Sequence, residues 1–215
     1  MLELRRAAPG FGRLTLDDAG VTRSGLFRTR SIGWRELREY RLSLELHGVS
    51  GDAGYLALGP LSTIWDALQG AQGRHEYRFG IELRGEHTRL RFDWRFRNVE
   101  LAIREVLRRL HAPLIAAAHA ELVEAGVARF GPLALGRAAV MLGSRAPLPQ
   151  RHVEAIELFD AFPVRLRVMA HGRAWPHAQV RMDHVPNVLA ALEVARSLGY
   201  PVLGRELLVP RLRDS

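Results

Sequence analysis

Histidines are the residues of this chain whose type and spacing could do chemistry. His171, His177 and His184 follow one another at intervals of six and seven residues, and imidazole nitrogens are common metal ligands. The chain has no cysteine, and these histidines have no acidic companion in a familiar metal-binding motif. We therefore expect ordinary strand histidines, with no metal site and no cofactor.

Two further motifs are incomplete. His119-Ala-Glu121 has the His-x-Glu order of zinc deaminases, but those sites also need a downstream pair of cysteines. Gly48-Val-Ser-Gly51 lacks the full Gly-x-Ser-x-Gly of a nucleophile elbow. The sequence contains neither a P-loop nor a Gly-x-Gly-x-x-Gly motif. It therefore predicts a protein that is not an enzyme, and it supplies no catalytic residues.

Arginine supplies all the positive charge of the side chains, apart from histidine. All 31 basic residues are arginine, and the net charge is +8 over 215 residues. The arginines are spread along the chain, whereas a nucleic-acid binder is expected to cluster them on a stripe. The sequence has no apolar run of the roughly 18 residues that a membrane span needs and no signal-peptide pattern at its start. We expect a cytoplasmic protein that does not bind nucleic acid.

An internal repeat organises the sequence. Residues 11–21 (FGRLTLDDAGV) return as residues 130–140 (FGPLALGRAAV), with matching Phe, Gly, Leu, Ala and Val positions. Residues 91–99 (RFDWRFRNV) correspond to residues 181–188 (RMDHVPNV) with a slip of one residue, and an amphipathic helix is expected after each Asn. A repeat of this kind decides the fold, and it predicts two similar units.

Alternating apolar residues predict antiparallel strands that bury one face. A hairpin is expected over residues 76–96, where an inward set alternates with outward arginines. The inward residues are Phe79, Ile81, Phe92 and Trp94, and the outward ones are Arg78, Arg89, Arg91 and Arg95. Trp34 and Trp175 are also expected inside. The first unit offers seven strands and the second only five or six.

Each unit is predicted to end in a helix. Asn98 is expected to cap the first helix and Gly126 to end it, with a kink or break near residues 109–112 because Pro113 lies inside the span. Asn187 is expected to cap the second helix, which Gly199 and Pro201 would stop.

This pattern resembles tandem pleckstrin-homology-like (PH-like) domains of uncharacterised bacterial families. The residues that carry the resemblance lie at 14–21, 32–37 and 92–99 in the first unit, and at 133–140 and 185–188 in the second. The resemblance implies an α+β fold, mainly antiparallel β, of two tandem PH-like partly open barrels, each closed by a C-terminal amphipathic helix. The implied domains are residues 1–127, with a long kinked helix, and a smaller one over residues 128–215 with a helix and tail.

PH-like folds elsewhere bind phosphoinositides near the first strand loop, or peptides along a sheet edge beside the helix. Here that loop carries Asp17 and Asp18 instead of a basic pair, and the matching loop of the second unit offers only Arg137. The acidic loop disfavours phosphoinositide binding. Fold alone does not establish function.

An inserted segment near residues 48–75 distinguishes the first unit. Its residues Leu61, Ile64, Trp65 and Leu68 have helical spacing. Thr63-Ile-Trp-Asp66, in the same segment, fits a capping box. One interpretation is a satellite helix that covers an open barrel end. The other is a partner-binding or self-associating helix, which makes these four apolar residues the candidate binding site.

Together these observations predict a non-enzymatic intracellular protein-interaction or assembly module. Its expected partner is a protein, including a second copy of the chain. The first alternative is peripheral binding to an anionic membrane surface, which the net charge favours. An enzyme of unrecognised type is the third interpretation.

Overall fold

The protein has an α+β fold in which short antiparallel strands dominate. The computed structural model describes residues 1–5, 12–47, 76–159 and 163–204, and for residues 45–47 and 76–78 it describes the backbone. The elements before Gly126 are β1 (Leu2–Arg5), β2 (Arg13–Leu16), β3 (Gly20–Ser24), β4 (Thr29–Gly33), β5 (Glu39–His47), β6 (Glu76–Arg84), β7 (Arg89–Asp93) and α1 (Val99–Ala125). We call these elements the first repeat.

The elements after Gly126 form the second repeat. They are β8 (Val127–Phe130), β9 (Leu133–Gly136), β10 (Ala139–Leu142), β11 (Leu148–Pro149), the 3-10 helix η1 (Gln150–His152), β12 (Val153–Phe159), β13 (Arg165–Ala170), β14 (Ala178–Arg181), the 3-10 helix η2 (Met182–His184), α2 (Val188–Ser197) and β15 (Val202–Leu203). Seven strands precede α2, so the expectation of five or six was too low. The two-residue β11 is too short to produce a recognisable alternation.

Each repeat consists of a four-stranded antiparallel sheet, a three-stranded antiparallel sheet and a helix. The strand orders are β1-β2-β3-β4 and β5-β6-β7 in the first repeat. In the second they are β8-β9-β10-β11 and β12-β13-β14, to which β15 adds in parallel along β12. Across the described ranges, no ladder joins the two sheets of a repeat into a closed barrel.

Among the side chains that the structure describes, the β6–β7 hairpin has the predicted faces with one exception; the side chain of Arg78, predicted outward, lies outside them. Phe79, Ile81 and Phe92 are buried, while Arg91 on the opposite face is exposed. The prediction for Trp94 was wrong because 37% of this residue is exposed. The strand ends at Asp93, and the following turn breaks the period of two and buries the next aromatic residue, Phe96, instead.

Helix α1 continues without a break through Pro113, contrary to one of the two outcomes expected there. Its apolar stripe packs against β1, β6 and α2, which holds the helix together across the hydrogen bond that proline cannot make. Gly126 ends the helix in the left-handed conformation (φ 74°), and its N–H donates to the carbonyl of Leu122 at 3.1 Å.

The expected side-chain caps at Asn98 and Asn187 are absent. Both residues instead have left-handed backbones, with φ 56° and ψ 36° at Asn98 and φ 54° and ψ 37° at Asn187. Asparagine tolerates this conformation better than most residues. From it, neither side chain makes a cap hydrogen bond to its helix.

The two repeats share one hydrophobic core. Helix α2 packs against α1, and seven of its ten residues are buried. At the same junction Asn187 forms a double hydrogen bond with the backbone of Tyr40 on β5. Its N–H donates to the Tyr40 carbonyl at 2.8 Å, and its Oδ1 accepts from the Tyr40 N–H at 2.9 Å. The second repeat therefore covers part of the free edge of β5.

In the part of the chain that the structure describes, neither helix combines the length and the apolar character that crossing a bilayer would require.

Candidate functional site

The histidines and the His-x-Glu motif lie at separate places on the described structure. His171 and His184 are exposed, and the His177 ring nitrogen lies 3.0 Å from the carbonyl of Ala146. Within the described ranges, no three His, Asp or Glu side chains are grouped to hold a metal ion. His119 is exposed on α1, while Glu121 accepts a hydrogen bond from the Arg129 N–H at 3.1 Å. Glu121 thus ties the end of α1 to β8.

The predicted partner-binding residues Leu61, Ile64, Trp65 and Leu68 lie outside the described residues, as does Gly48-Val-Ser-Gly51. Trp175 was expected inside but is 82% exposed, because it lies in the loop between β13 and β14. Trp34 is partly buried and packs against the core.

Trp34 lies in a cleft between α1 and the loops of the first four-stranded sheet. Its Nε1–H donates to the carbonyl of Asp17 at 2.7 Å. The Asp17 carboxylate itself accepts from the N–H groups of Ala19 and Gly20, so this acidic residue shapes the β2–β3 turn. The Trp34 cleft has a volume of about 950 Å³, and Leu110, Pro113, Leu114 and Ala117 of α1 form one wall.

A network of ion pairs crosses one side of the Trp34 cleft. Arg109 lies over the Trp34 ring with 4.8 Å between the guanidinium and the ring centroid, and it pairs with Asp18 at 3.1 Å and Glu105 at 2.7 Å. Hydrogen bonds from Arg108 and Arg109 lower the pKa of Glu105 to about 2. Arg35, Glu36 and Arg38 also line the cleft, beside an apolar wall from α1.

A second surface lies between the edges of β4 and β7, where the two sheets of the first repeat meet. Two recesses of about 600 Å³ and about 270 Å³ follow this line and share Arg23 and Arg91. We call this surface the arginine seam, after the six arginines that line it: Arg23, Arg28, Arg30, Arg89, Arg91 and Arg95.

Arginine side chains bridge the two sheets at the seam. The Arg23 guanidinium donates to the carbonyl of Arg91, and Nη1 of Arg30 donates to the carbonyl of Arg89 at 3.5 Å. The ladder of the first sheet ends at β4 and that of the second ends at β7, so side chains take the place of a strand-to-strand ladder here. The gap is consequently a groove with backbone groups along one wall.

The seam is strongly basic and has exposed aromatic residues. Its two acidic residues already have arginine partners, since Glu82 pairs with Arg84 and Asp93 lies 3.6 Å from Arg95. Phe27, in the turn between β3 and β4, is 89% exposed. Arginines interleaved with exposed aromatic side chains form a surface suited to acidic or amphipathic partners.

Sequence reasoning missed the arginine seam because its residues come from two distant segments. Arg23, Arg28 and Arg30 belong to the β3–β4 hairpin, and the others follow on and after β7. The alternation of Arg89 and Arg91 with buried residues does place them on an outward face, but by itself it indicates only a solvated surface. Joining the two sets requires knowing that β4 packs beside β7.

Burial also marks the junction of the repeats. It raises the pKa of the Tyr40 hydroxyl, while the backbone N–H groups of Ala190 and Leu189, at the start of α2, act in the opposite direction. Within the described structure, this hydroxyl has no partner in hydrogen-bond geometry. The N–H groups therefore act on it as nearby dipoles more than as bonded donors. The Tyr40 side chain is fully buried between the two repeats, so we assign it to the packing of the junction.

Comparison with protein-family models found no match, and comparisons with curated proteins and with solved structures found none either.

Proposed function

We propose that this chain is a non-enzymatic protein-interaction module built from two PH-like units, and that the arginine seam is its binding surface. The observation that carries the proposal is the groove itself. Two sheet edges, β4 and β7, meet there without a ladder between them, beside exposed Phe27 and Trp94. Sheet edges beside pockets are a recurring means of binding another chain.

The PH-like assignment is supported by the order of elements. Four strands, then three strands, then a helix occur twice in succession, and each helix follows an Asn with the same left-handed backbone. The 10-residue α2 and the 27-residue α1 end their repeats in the manner of the C-terminal helix expected from the resemblance. The protein-binding role of the seam is independent of that family assignment.

Site-specific photo-crosslinking tests the proposed function. A photoreactive phenylalanine analogue would replace Phe27 or Trp94 in the full chain, expressed in its native cells. The matched control is the same replacement at Trp175, which is 82% exposed on the second repeat. We expect discrete protein adducts from the two seam positions and none from the control. Equal adducts from all three positions, or the absence of protein adducts at the seam, would contradict the proposal.

An anionic membrane surface is a second candidate, and the turn between β3 and β4 favours it. Leu26 and Phe27 are 61% and 89% exposed there, with Arg23, Arg28 and Arg30 beside them. Apolar side chains flanked by basic ones suit the interface of an anionic bilayer. Co-sedimentation with vesicles containing phosphatidylserine should then weaken in Phe27→Ala and remain unchanged in Trp175→Ala. Absence of sedimentation at physiological salt would reject this candidate.

A further inference from the structure

The Trp34 cleft has the size of a small-molecule pocket, and the Trp34 ring is held in place beside it. Its volume of about 950 Å³ lies within the range of about 300–1,000 Å³ that ligand pockets usually have. The ring is held at its edge, where Nε1–H donates to the Asp17 carbonyl at 2.7 Å. The Arg109 guanidinium lies 4.8 Å from its centroid, and Asp18 and Glu105 in turn hold Arg109. The ring therefore keeps its position through contacts within the protein.

One wall of this cleft is apolar and belongs to two turns of α1. Its residues recur at helical spacing, so they share one face: Leu110, Pro113, Leu114 and Ala117. Pro113 and Ala117 are exposed, and Leu114 is half-buried. Covering this surface with hydrocarbon would remove apolar area from water, which is favourable.

The apolar wall is short. The same face of α1 continues with Glu121 and Glu124, four and seven residues after Ala117, and neither glutamate lines the cleft. The wall from Leu110 to Ala117 therefore spans about 10 Å along the helix axis. A partner helix that docks side by side needs an apolar stripe over several turns, whereas a hydrocarbon chain can lie against two. The cleft therefore suits a small ligand better than a partner helix.

The loop between β4 and β5 adds a net positive charge to the cleft, which Arg35, Glu36 and Arg38 line. Glu36 accepts a hydrogen bond from the Gly33 N–H at 3.3 Å, and Arg38 donates to the Arg35 carbonyl at 3.4 Å. Among the residues that the structure describes, no carboxylate pairs with Arg35 or Arg38, which are both exposed. Two guanidinium groups thus accompany one carboxylate, and a negatively charged ligand group would match the excess.

We propose that the Trp34 cleft binds a small amphiphile that has one hydrocarbon chain and a carboxylate head group. The chain lies against the α1 wall beside the Trp34 ring, and the head group pairs with Arg35 and Arg38. A neutral ligand would not use the charge of the loop, and a small anion would not use the apolar wall. This cleft shares no lining residue with the arginine seam, so the inference goes beyond the function proposed above.

Titration of the isotope-labelled full chain with decanoate, followed by nuclear magnetic resonance, tests the inference. The matched ligands are decanol, which lacks the charge, and decyltrimethylammonium, which reverses it. Ala117→Trp fills the cleft, and Ala116→Trp is its control because Ala116 is also exposed and does not line the cleft. A double variant, Arg35→Gln with Arg38→Gln, removes the charge of the loop. The control for that loss is Arg137→Gln, at an exposed position of the second repeat.

We expect decanoate to bind saturably and to shift the Trp34 indole N–H signal and the amide signals of residues 33–38 and 114–117. Ala117→Trp should abolish saturable binding because it occupies the space of the chain. The double arginine variant should weaken binding about fivefold or more and make decanoate bind no tighter than decanol. Both control variants should leave binding nearly unchanged.

The dispersion of the amide signals shows whether each variant is folded. If Ala117→Trp does not fold, the double variant decides the test, since Arg35 and Arg38 are exposed. No binding of decanoate, equal binding of decanol, tighter binding of decyltrimethylammonium, shifts spread over the whole chain, or unchanged binding in the double variant or in folded Ala117→Trp would each overturn the inference. A photoreactive residue at Ala117 that crosslinks to a second protein, with no binding of decanoate, would assign the cleft to a protein partner instead.

Discussion

The two repeats have the same order of main strands and final helix, but the free edge of the three-stranded sheet is covered differently in each. In the second repeat, β15 pairs with the outer edge of β12. In the first, the corresponding strand is β5, and Asn187 of the second repeat bonds to its edge at Tyr40. The edges β4 and β7 of the first repeat meet at the arginine seam. The second repeat therefore contributes to closing both repeats, while the first presents a groove.

The equivalent asparagines show how one backbone feature acquired two roles. Asn98 and Asn187 have nearly the same φ and ψ, and each lies one residue before a helix. Asn98 is exposed, whereas the side chain of Asn187 bonds across the junction to β5. The left-handed turn is common to both repeats, and the cross-repeat hydrogen bond belongs to the second alone. This difference can be separated experimentally.

Removing the first repeat should have the largest effect. Helix α2 packs against α1, and seven of its ten residues are buried in the full chain. Residues 127–215 expressed alone would therefore expose the α2 side chains that contact α1. A unit of this size has a marginal core without disulfides or metals. We expect the fragment to be largely unfolded, and the full chain to unfold in one cooperative transition. Nuclear magnetic resonance and thermal melting measure both. Dispersed amide signals and a separate sharp transition from the fragment would show that the second repeat is autonomous.

Glycine at the two asparagines should give a smaller and unequal effect. Glycine adopts the left-handed backbone freely, so Asn98→Gly and Asn187→Gly keep the turn and share the same entropy cost. Only Asn187→Gly leaves the Tyr40 N–H without its acceptor. We expect it to lower the free energy of unfolding by about 1–2 kcal/mol more than Asn98→Gly does. Urea unfolding measures this difference, and equal losses would mean that the junction contributes nothing through this bond.

Acidification should give the smallest effect, and it tests the network on α1 in the first repeat. Hydrogen bonds from Arg108 and Arg109 lower the pKa of Glu105 from 4.5 to about 2. A lowered folded-state pKa stabilises the protein above pH 4.5 and loses that contribution as the pH falls towards 2. Glu105→Gln should therefore cost about 1 kcal/mol or less near neutral pH, because surface pairs are screened, and the gap should close below pH 4.5. A gap that is constant down to pH 2 would assign the loss to packing.

The sequence predicted the regular parts of the fold well. Alternation identified the buried face of Phe79, Ile81 and Phe92 because one side of the hairpin meets the core along its whole length. Gly126 was confirmed as the end of α1 because a left-handed residue there favours glycine. These features depend on local geometry, which a single sequence carries.

The parts that sequence reasoning missed depend on contacts between distant segments. The predicted burial of Trp94 was wrong because β7 ends at Asp93, and no pattern in the sequence marked that end. The side chain of Asn187 bonds to Tyr40, 147 positions away, instead of to its own helix. The arginine seam likewise requires β4 and β7 to meet, which alternation within either strand cannot indicate.

Residue-resolved hydrogen exchange of the full chain tests the central claim, that the second repeat covers the edge of β5 and leaves the seam open. The Tyr40 amide, bonded to Asn187, should exchange only through global unfolding, at the rate of the buried α2 amides. The seam-facing amides of Arg89 and Arg91 should exchange much faster. A Tyr40 amide that exchanges as fast as that of Arg91, or an Arg91 amide as protected as that of Tyr40, would contradict the claim.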